Sequence, residues 1–198
     1  MVPLRRQSLP TAACVGGLEL DSLARSARCI DSLMKAASVR LLSTETFSQG
    51  RLLLLFDGGI EEVERAQDAA LHIGGQRVID HFIIQALDPG VVAGLAGDLS
   101  AGFGAREALL FLETSSLCSQ IRGLDAAFKA VECHLVGLRL GRGIAGKAIS
   151  LLAGAQADLE AASLDFQTAA GAGFVESQLI PRPDEGPRWD LLFRPESS

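Results

Sequence analysis

Residues 18–42, LELDSLARSARCIDSLMKAASVRLL, return 94 positions later as residues 112–136, LETSSLCSQIRGLDAAFKAVECHLV. A repeat of that length constrains the fold more than any motif, because each copy must be a unit that packs in its own right or against its neighbour. Leu18, Glu19, Ser22, Leu23, Arg28, Asp31, Lys35, Ala36 and Leu41 recur in kind at Leu112, Glu113, Ser116, Leu117, Arg122, Asp125, Lys129, Ala130 and Leu135. Apolar spacing agrees as well: Leu23, Ala27, Ile30, Met34 and Ala37 step like Leu117, Ile121, Leu124, Phe128 and Val131, which predicts one amphipathic stripe on a first helix in each copy. Arg51 to Ala70 matches Lys147 to Phe166 at a shift of 96, so the second copy gains two residues in the intervening loop. Val63, Ala66, Ala70 and Ile73 there mirror Leu159, Ala162, Phe166 and Ala169, the stripe of a second helix.

Short apolar runs predict four strands in the first copy, over 13–20, 39–46, 51–56 and 78–86, and four in the second, over 107–113, 133–140, 147–152 and 174–180. Each copy therefore reads β-α-β-β-α-β. That order predicts an α/β chain of the α+β, ferredoxin-like kind, with two helices on one face of a mainly antiparallel sheet. The expected organisation is an N-terminal extension (1–12), a first domain (13–91), a Gly- and Ala-rich linker without periodicity (92–106), a second domain (107–190) and a tail (191–198).

Composition narrows the function classes. The 198 residues carry 24 acidic and 18 basic side chains, a net charge of −6, with nine Phe, one Trp and no Tyr. Clustered Lys and Arg and aromatic platforms are what nucleic acid requires, so no nucleic-acid partner is expected. The longest aliphatic or aromatic run is 52–56, far below the ~18–20 residues of a membrane helix, and residues 1–22 lack a secretory apolar core. A cytoplasmic protein is the expectation. Cys14, Cys29, Cys118 and Cys133 show no CxxC spacing and read as buried small hydrophobes.

Catalytic motifs are weak. Gly141 to Lys147 satisfies GxxxxGK, but residue 148 is Ala where a Mg²⁺-ligating Ser or Thr is needed, and Lys147 opens a strand rather than a helix. His72, His81 and His134 form no metal-ligand spacing, Glu61, Glu62 and Glu64 suit a helix N-terminus, and Ser115 and Ser116 lie in no GxSxG elbow. No enzyme activity and no metal are expected.

The series LE-x-S, Asp, Lys-Ala, strand, Gly-containing loop, strand, helix and strand ending in Ile180-Pro181-Arg182-Pro183 resembles the bacterial microcompartment (BMC) shell domain, in both copies and over about residues 13–190. Two such domains in unpermuted order are similar to the tandem-domain shell class, and look most like its propanediol-utilisation branch. The resemblance implies a homotrimer forming a pseudohexameric tile, tiled beside other hexameric, trimeric and pentameric shell proteins around encapsulated enzymes in the bacterial cytoplasm. It implies a central pore lined by the hairpin loops, at Phe47, Ser48, Gln49 and Gly50 and at Arg142, Gly143 and Ile144. It also implies tile-edge roles for Lys35, Lys129 and Arg182.

In that branch a cysteine in the first-copy loop holds an iron–sulfur cluster, and Ser48 stands at its place here. A hydroxyl is a poor cluster ligand, so no cofactor is expected and a redox shell protein is disfavoured. A small polar or anionic metabolite is the expected cargo of the pore. The rival reading from another class is a cytosolic ligand-binding regulator made of duplicated ferredoxin-like domains.

Overall fold

A computed structural model describes residues 13–100, 104, 107–184 and 189–193. The first copy runs β1 (Cys14–Leu20), α1 (Leu23–Ala36), β2 (Arg40–Phe47), β3 (Arg51–Gly58), α2 (Ile60–Gly74) and β4 (Val78–Gln85). After α3 (Pro89–Leu95) the second copy repeats the order as β5 (Ala108–Thr114), α4 (Leu117–Ala130), β6 (His134–Leu140), β7 (Ala148–Gly154), α5 (Gln156–Ala170) and β8 (Phe174–Ile180). Strand order is β2-β3-β1-β4 in one sheet and β6-β7-β5-β8 in the other, and every pairing is antiparallel. This is the ferredoxin-like arrangement, present twice.

The copies agree even in their irregularities. Register shifts fall between Glu19 and Leu20 and again between Glu113 and Thr114, and between Leu41 and Ser43 and again between Leu135 and Gly137. Ser22 and Ser116 cap α1 and α4 by accepting from the N–H groups of Arg25 and Ser119. Both second helices end on a glycine at positive φ, Gly75 (53°) and Gly171 (59°), which side chains with a Cβ disfavour.

Two expectations need correction. The stripe predicted for α1 is not its buried face: Leu23 and Met34 are 47% and 45% exposed and Ala27 is exposed, while Ser26, Cys29 and Leu33 are buried. The equivalents on α4, Leu117 and Ile121, are buried, because α4 lies against β4 and β1 of the first copy as well as on its own sheet. The linker also begins within a helix: Asp88 caps α3 by accepting from Gly90 N–H at 2.7 Å, Pro89 occupies its first turn, and Val91 and Leu95 are buried. Past β8, a 3₁₀ turn at Trp189–Phe193 sets the Trp189 and Phe193 rings 5.8 and 6.4 Å from the Phe111 ring, centre to centre.

Each sheet's helix-covered face forms a core, with Phe56 central to the first and Phe166 to the second. Full burial of such a side chain contributes about 1.5–3 kcal/mol. Phe166 fits because Gly123 of α4 has no side chain: a Cβ there would lie 2.6 Å from the ring. In the first copy these positions are Cys29 and Ala70, a larger residue facing a smaller one. Gly123→Cys alone is expected to destabilise by about 1–3 kcal/mol through overpacking. Combined with Phe166→Ala, it should lose at least ~1 kcal/mol less than the sum of the two single losses, measured by urea unfolding.

Candidate functional site

Two regions bring polar chemistry together, and both lie where the copies meet. In the first, the back of the first sheet, away from its helices, rests on α4. Glu19 on β1 is fully buried there. Its carboxylate accepts from Leu117 N–H at the start of α4 (2.7 Å) and from the Arg51 guanidinium (3.1 Å), which also donates to the carbonyls of Ser115 and Gly146. Burial pushes the Glu19 carboxyl above its ordinary range, opposed by the Leu117 N–H and Arg51. A helix N-terminus and a cation are the two partners that make a buried carboxylate tolerable.

Beside it, Asp80 of β4 accepts from the hydroxyls of Ser116 and Ser119 and from Arg122 at 3.1 Å. Arg122 in turn donates to the carbonyls of His81 (2.7 Å), Ala169 (3.0 Å) and Ala170 (3.3 Å), tying α4 to both copies. Burial alone would raise the Asp80 carboxyl, but the Ser116, Ser119 and Arg122 donors outweigh it and hold the carboxyl below the ordinary value.

The second region is the pair of hairpin loops. Ser48 accepts from Gly143 N–H at 2.9 Å, and Arg142 pairs with Glu45 at 3.1 Å. The Phe47 ring lies against Gly141, where a Cβ would be 2.6 Å away. Phe47 is thus only 8% exposed, its ring packed between the two loops. Gln49, Gly50, Arg142 and Gly143 are exposed, and Ser48 and Ile144 are half-buried. Gln49 and Gly50 both adopt positive φ, so the tip of the first loop is a tight turn.

The two loops supply hydroxyl, amide, carboxylate and guanidinium groups but no thiol. Cys14, Cys29 and Cys118 are buried and Cys133 half-buried, all free and all outside the loops, and burial with the Asp88 and Asp158 charges pushes Cys133 up to about 12. This donor set does not fit an iron–sulfur cluster. Among the described residues no group of three or more His, Cys, Asp or Glu could hold a metal ion, and no helix is long and apolar enough to cross a membrane.

Of the remaining predicted residues, Lys35 is 75% exposed on its side chain and paired with Asp31, while Lys129 pairs with Asp125 and reaches the Gln85 carbonyl across the copies. Arg182 is exposed just past β8. Lys147, the lysine of the GxxxxGK pattern, precedes β7 and bonds Glu113 at 2.7 Å. The carboxylates and arginines of the joint went unassigned in the sequence, although Glu19 and Arg28 both recur at the repeat spacing as Glu113 and Arg122.

A sequence model of the BMC domain matches twice, over residues 14–87 and 108–183. The chain belongs to the BMC-domain family. Over 173 residues it is 30% identical to the bacterial microcompartment shell protein PduT of Citrobacter freundii, spanning 86% of this chain and 93% of that protein. A 55-residue stretch is 40% identical to the shell protein EutK of Escherichia coli K12, 28% of this chain and 33% of EutK. Among solved structures, a microcompartment protein of Desulfitobacterium hafniense DCB superposes with a TM-score of 0.71 at 28% identity, over 88% of this chain and 97% of that one. A fused permuted hexameric shell protein of the RMM microcompartment shares the fold, with a TM-score of 0.58 at 22% identity over 87% and 96% of the two chains. With two BMC domains, the chain is a shell protein of the tandem-domain type.

Asp80→Asn leaves Arg122 without its charge partner and is expected to cost about 2 kcal/mol near neutral pH. Because the folded carboxyl lies below its ordinary 3.8, its contribution is complete above that value and is lost as the pH falls below it. Thermal melts of wild type and variant should therefore differ at pH 7 and converge in acid.

Proposed function

We propose that three copies of this chain close into a pseudohexameric tile in the shell of a bacterial cytoplasmic microcompartment, with the hairpin loops around a central pore. One observation carries the reading: Phe47 and Gly141, equivalent positions of successive copies, touch each other. Equivalent positions meet only near the axis that relates the copies, so the loops belong at the centre of any ring the copies form. Alternating Phe47 and Gly141 would then fit ring into gap around that axis, leaving Ser48, Gln49, Gly50, Arg142, Gly143 and Ile144 to line the opening.

The lining sets what passes. Ser48, Gln49 and the loop amides offer hydrogen bonds, and Glu45 balances Arg142, which suits small polar metabolites better than strongly charged ones. The tile has no catalytic role in this reading. Lys35 and Arg182, exposed at the ends of α1 and β8, are placed for contacts with neighbouring shell proteins, and the enclosed enzymes lie on one side of the tile. The same donor set supports a pore without an iron–sulfur centre.

The purified chain should have three times its 20.8 kDa mass in sedimentation equilibrium and form sheets at high concentration by electron microscopy. Arg182→Glu should abolish the sheets and leave the trimer intact; a monomer or dimer of the wild-type chain contradicts the tile. Ser48→Phe, which places a ring at the loop tip, should slow metabolite exchange through assembled shells roughly tenfold or more without changing sheet formation.

A further inference from the structure

A cleft of about 320 Å³ opens where α3 and the residues after it face the end of α4 and the start of β6, and Asp88, Asp98, Phe128, Cys133, His134 and Leu135 are among its lining residues. Its walls are fixed from both sides. Asp88 N–H donates to the Asp125 carboxylate at 2.9 Å, and Gly94 lets α3 close on β6, since a Cβ there would overlap the Leu135 side chain. Ser100 N–H donates to the Leu135 carbonyl at 2.9 Å and holds the far wall against the same strand.

The charge in the cleft is one-sided. Among the described residues no lysine or arginine lines it, and neither Asp88 nor Asp98 forms an ion pair. Lys129, next in the chain to Phe128, is held by Asp125 at 2.7 Å and by the Gln85 carbonyl, and His134 lies 3.4 Å from Glu107. Cys133 reports on these surroundings: burial first, then the charges of Asp88 and Asp158, push its thiol up to about 12. Exclusion of water together with negative potential favours a cation, and the Phe128 ring and Leu135 favour one that carries carbon.

Divergence of the copies points the same way. Met34, Val39, Arg40 and Leu41 stand in the first copy where Phe128, Cys133, His134 and Leu135 stand in the second. Arg40 pairs with Asp57 at 2.6 Å, whereas Ala153 occupies the position equivalent to Asp57. The second copy thus lacks a fixed cation at this place and has an aromatic ring instead.

We propose that this cleft binds a small alkylammonium ion, a primary or quaternary amine on a short carbon chain, with its charge beside Asp88 and Asp98 and its carbons against Phe128 and Leu135. A bare divalent cation fits worse, because it takes about six or more oxygen ligands and no group of three or more His, Cys, Asp or Glu among the described residues could hold one. The site lies within one chain and does not depend on the tile.

Cys133 supplies the test, since the other three cysteines are buried. In the full chain, tetramethylammonium chloride at saturation should slow modification of Cys133 by neutral methyl methanethiosulfonate about tenfold or more, followed by mass spectrometry of the Cys133 peptide. Equal concentrations of NaCl or of tert-butanol should leave the rate unchanged. Asp88→Asn with Asp98→Asn should abolish the protection, and Phe128→Leu should weaken it about threefold; asparagine still caps α3, so the first variant keeps the fold. Protection equal with NaCl, equal with tert-butanol, or retained without both carboxylates overturns the proposal. Should Cys133 resist the reagent altogether, saturation-transfer NMR on the methyl protons of tetramethylammonium decides: a signal in the wild type that disappears in the double variant supports the site, and no signal, or one that persists, overturns it.

Discussion

An open four-stranded sheet has two faces, and the two helices of a βαββαβ unit cover only one of them. Everything distinctive in this chain follows from what happens to the other. The back of the first sheet carries Val15, Leu53, Leu55, Phe82 and Ile84, all within one apolar cluster with the second copy, so α4 is buried on two sides. The back of the second sheet carries Leu109, Leu151, Ala153 and Phe111, and the Trp189–Phe193 turn packs against that cluster. Beyond the turn, Glu176 and Gln178 of β8 remain exposed. One chain thus buries the back of its first sheet under α4 and leaves Leu23 and Met34 of α1 uncovered.

Duplication fixed the backbone while the side chains drifted in compensating pairs. Gly16 and Phe56 of the first sheet correspond to Leu110 and Leu152 of the second, and a Cβ on Gly16 would overlap the Phe56 ring. Gly17 and Phe82 correspond to Phe111 and Gln178, so the large ring moves from one strand to its partner. Close packing requires such volume exchange, since one extra ring in a filled core forces side chains off their rotamers. On the back faces the two copies meet different neighbours.

The same difference explains what the sequence could and could not show. Strand order and the second-helix stripes were legible because they depend on contacts within a single copy, and those are the same in both copies. The α1 stripe was misread because its apolar residues include Leu23 and Met34, which the single chain leaves uncovered; periodicity reports apolar faces, not the element that covers them. Asp88-Pro89 is a helix-start signal, but the seven-residue helix after it is too short and glycine-rich to show a period. Glu19 with Leu117 and Asp80 with Arg122 join residues far apart in the chain, and only the placement of one copy against the other brings them together.

Glu19 and Asp80 also pull the pH dependence of the internal joint in opposite directions. Asp80, held below its ordinary value, stabilises the fold once ionised, whereas Glu19, held above its own by burial, favours the folded state more when protonated. A buried carboxylate is a costly way to stabilise anything, and its ionised form persists here because the start of α4 and Arg51 both face it. The covalent tether makes that tolerable: the two copies meet at high effective concentration, so the internal joint need not overcome the entropy of bimolecular association. Its specificity can then rest on one register, the one that brings a carboxylate to a helix start, and a shift of β1 by a single residue would turn Glu19 away from Leu117.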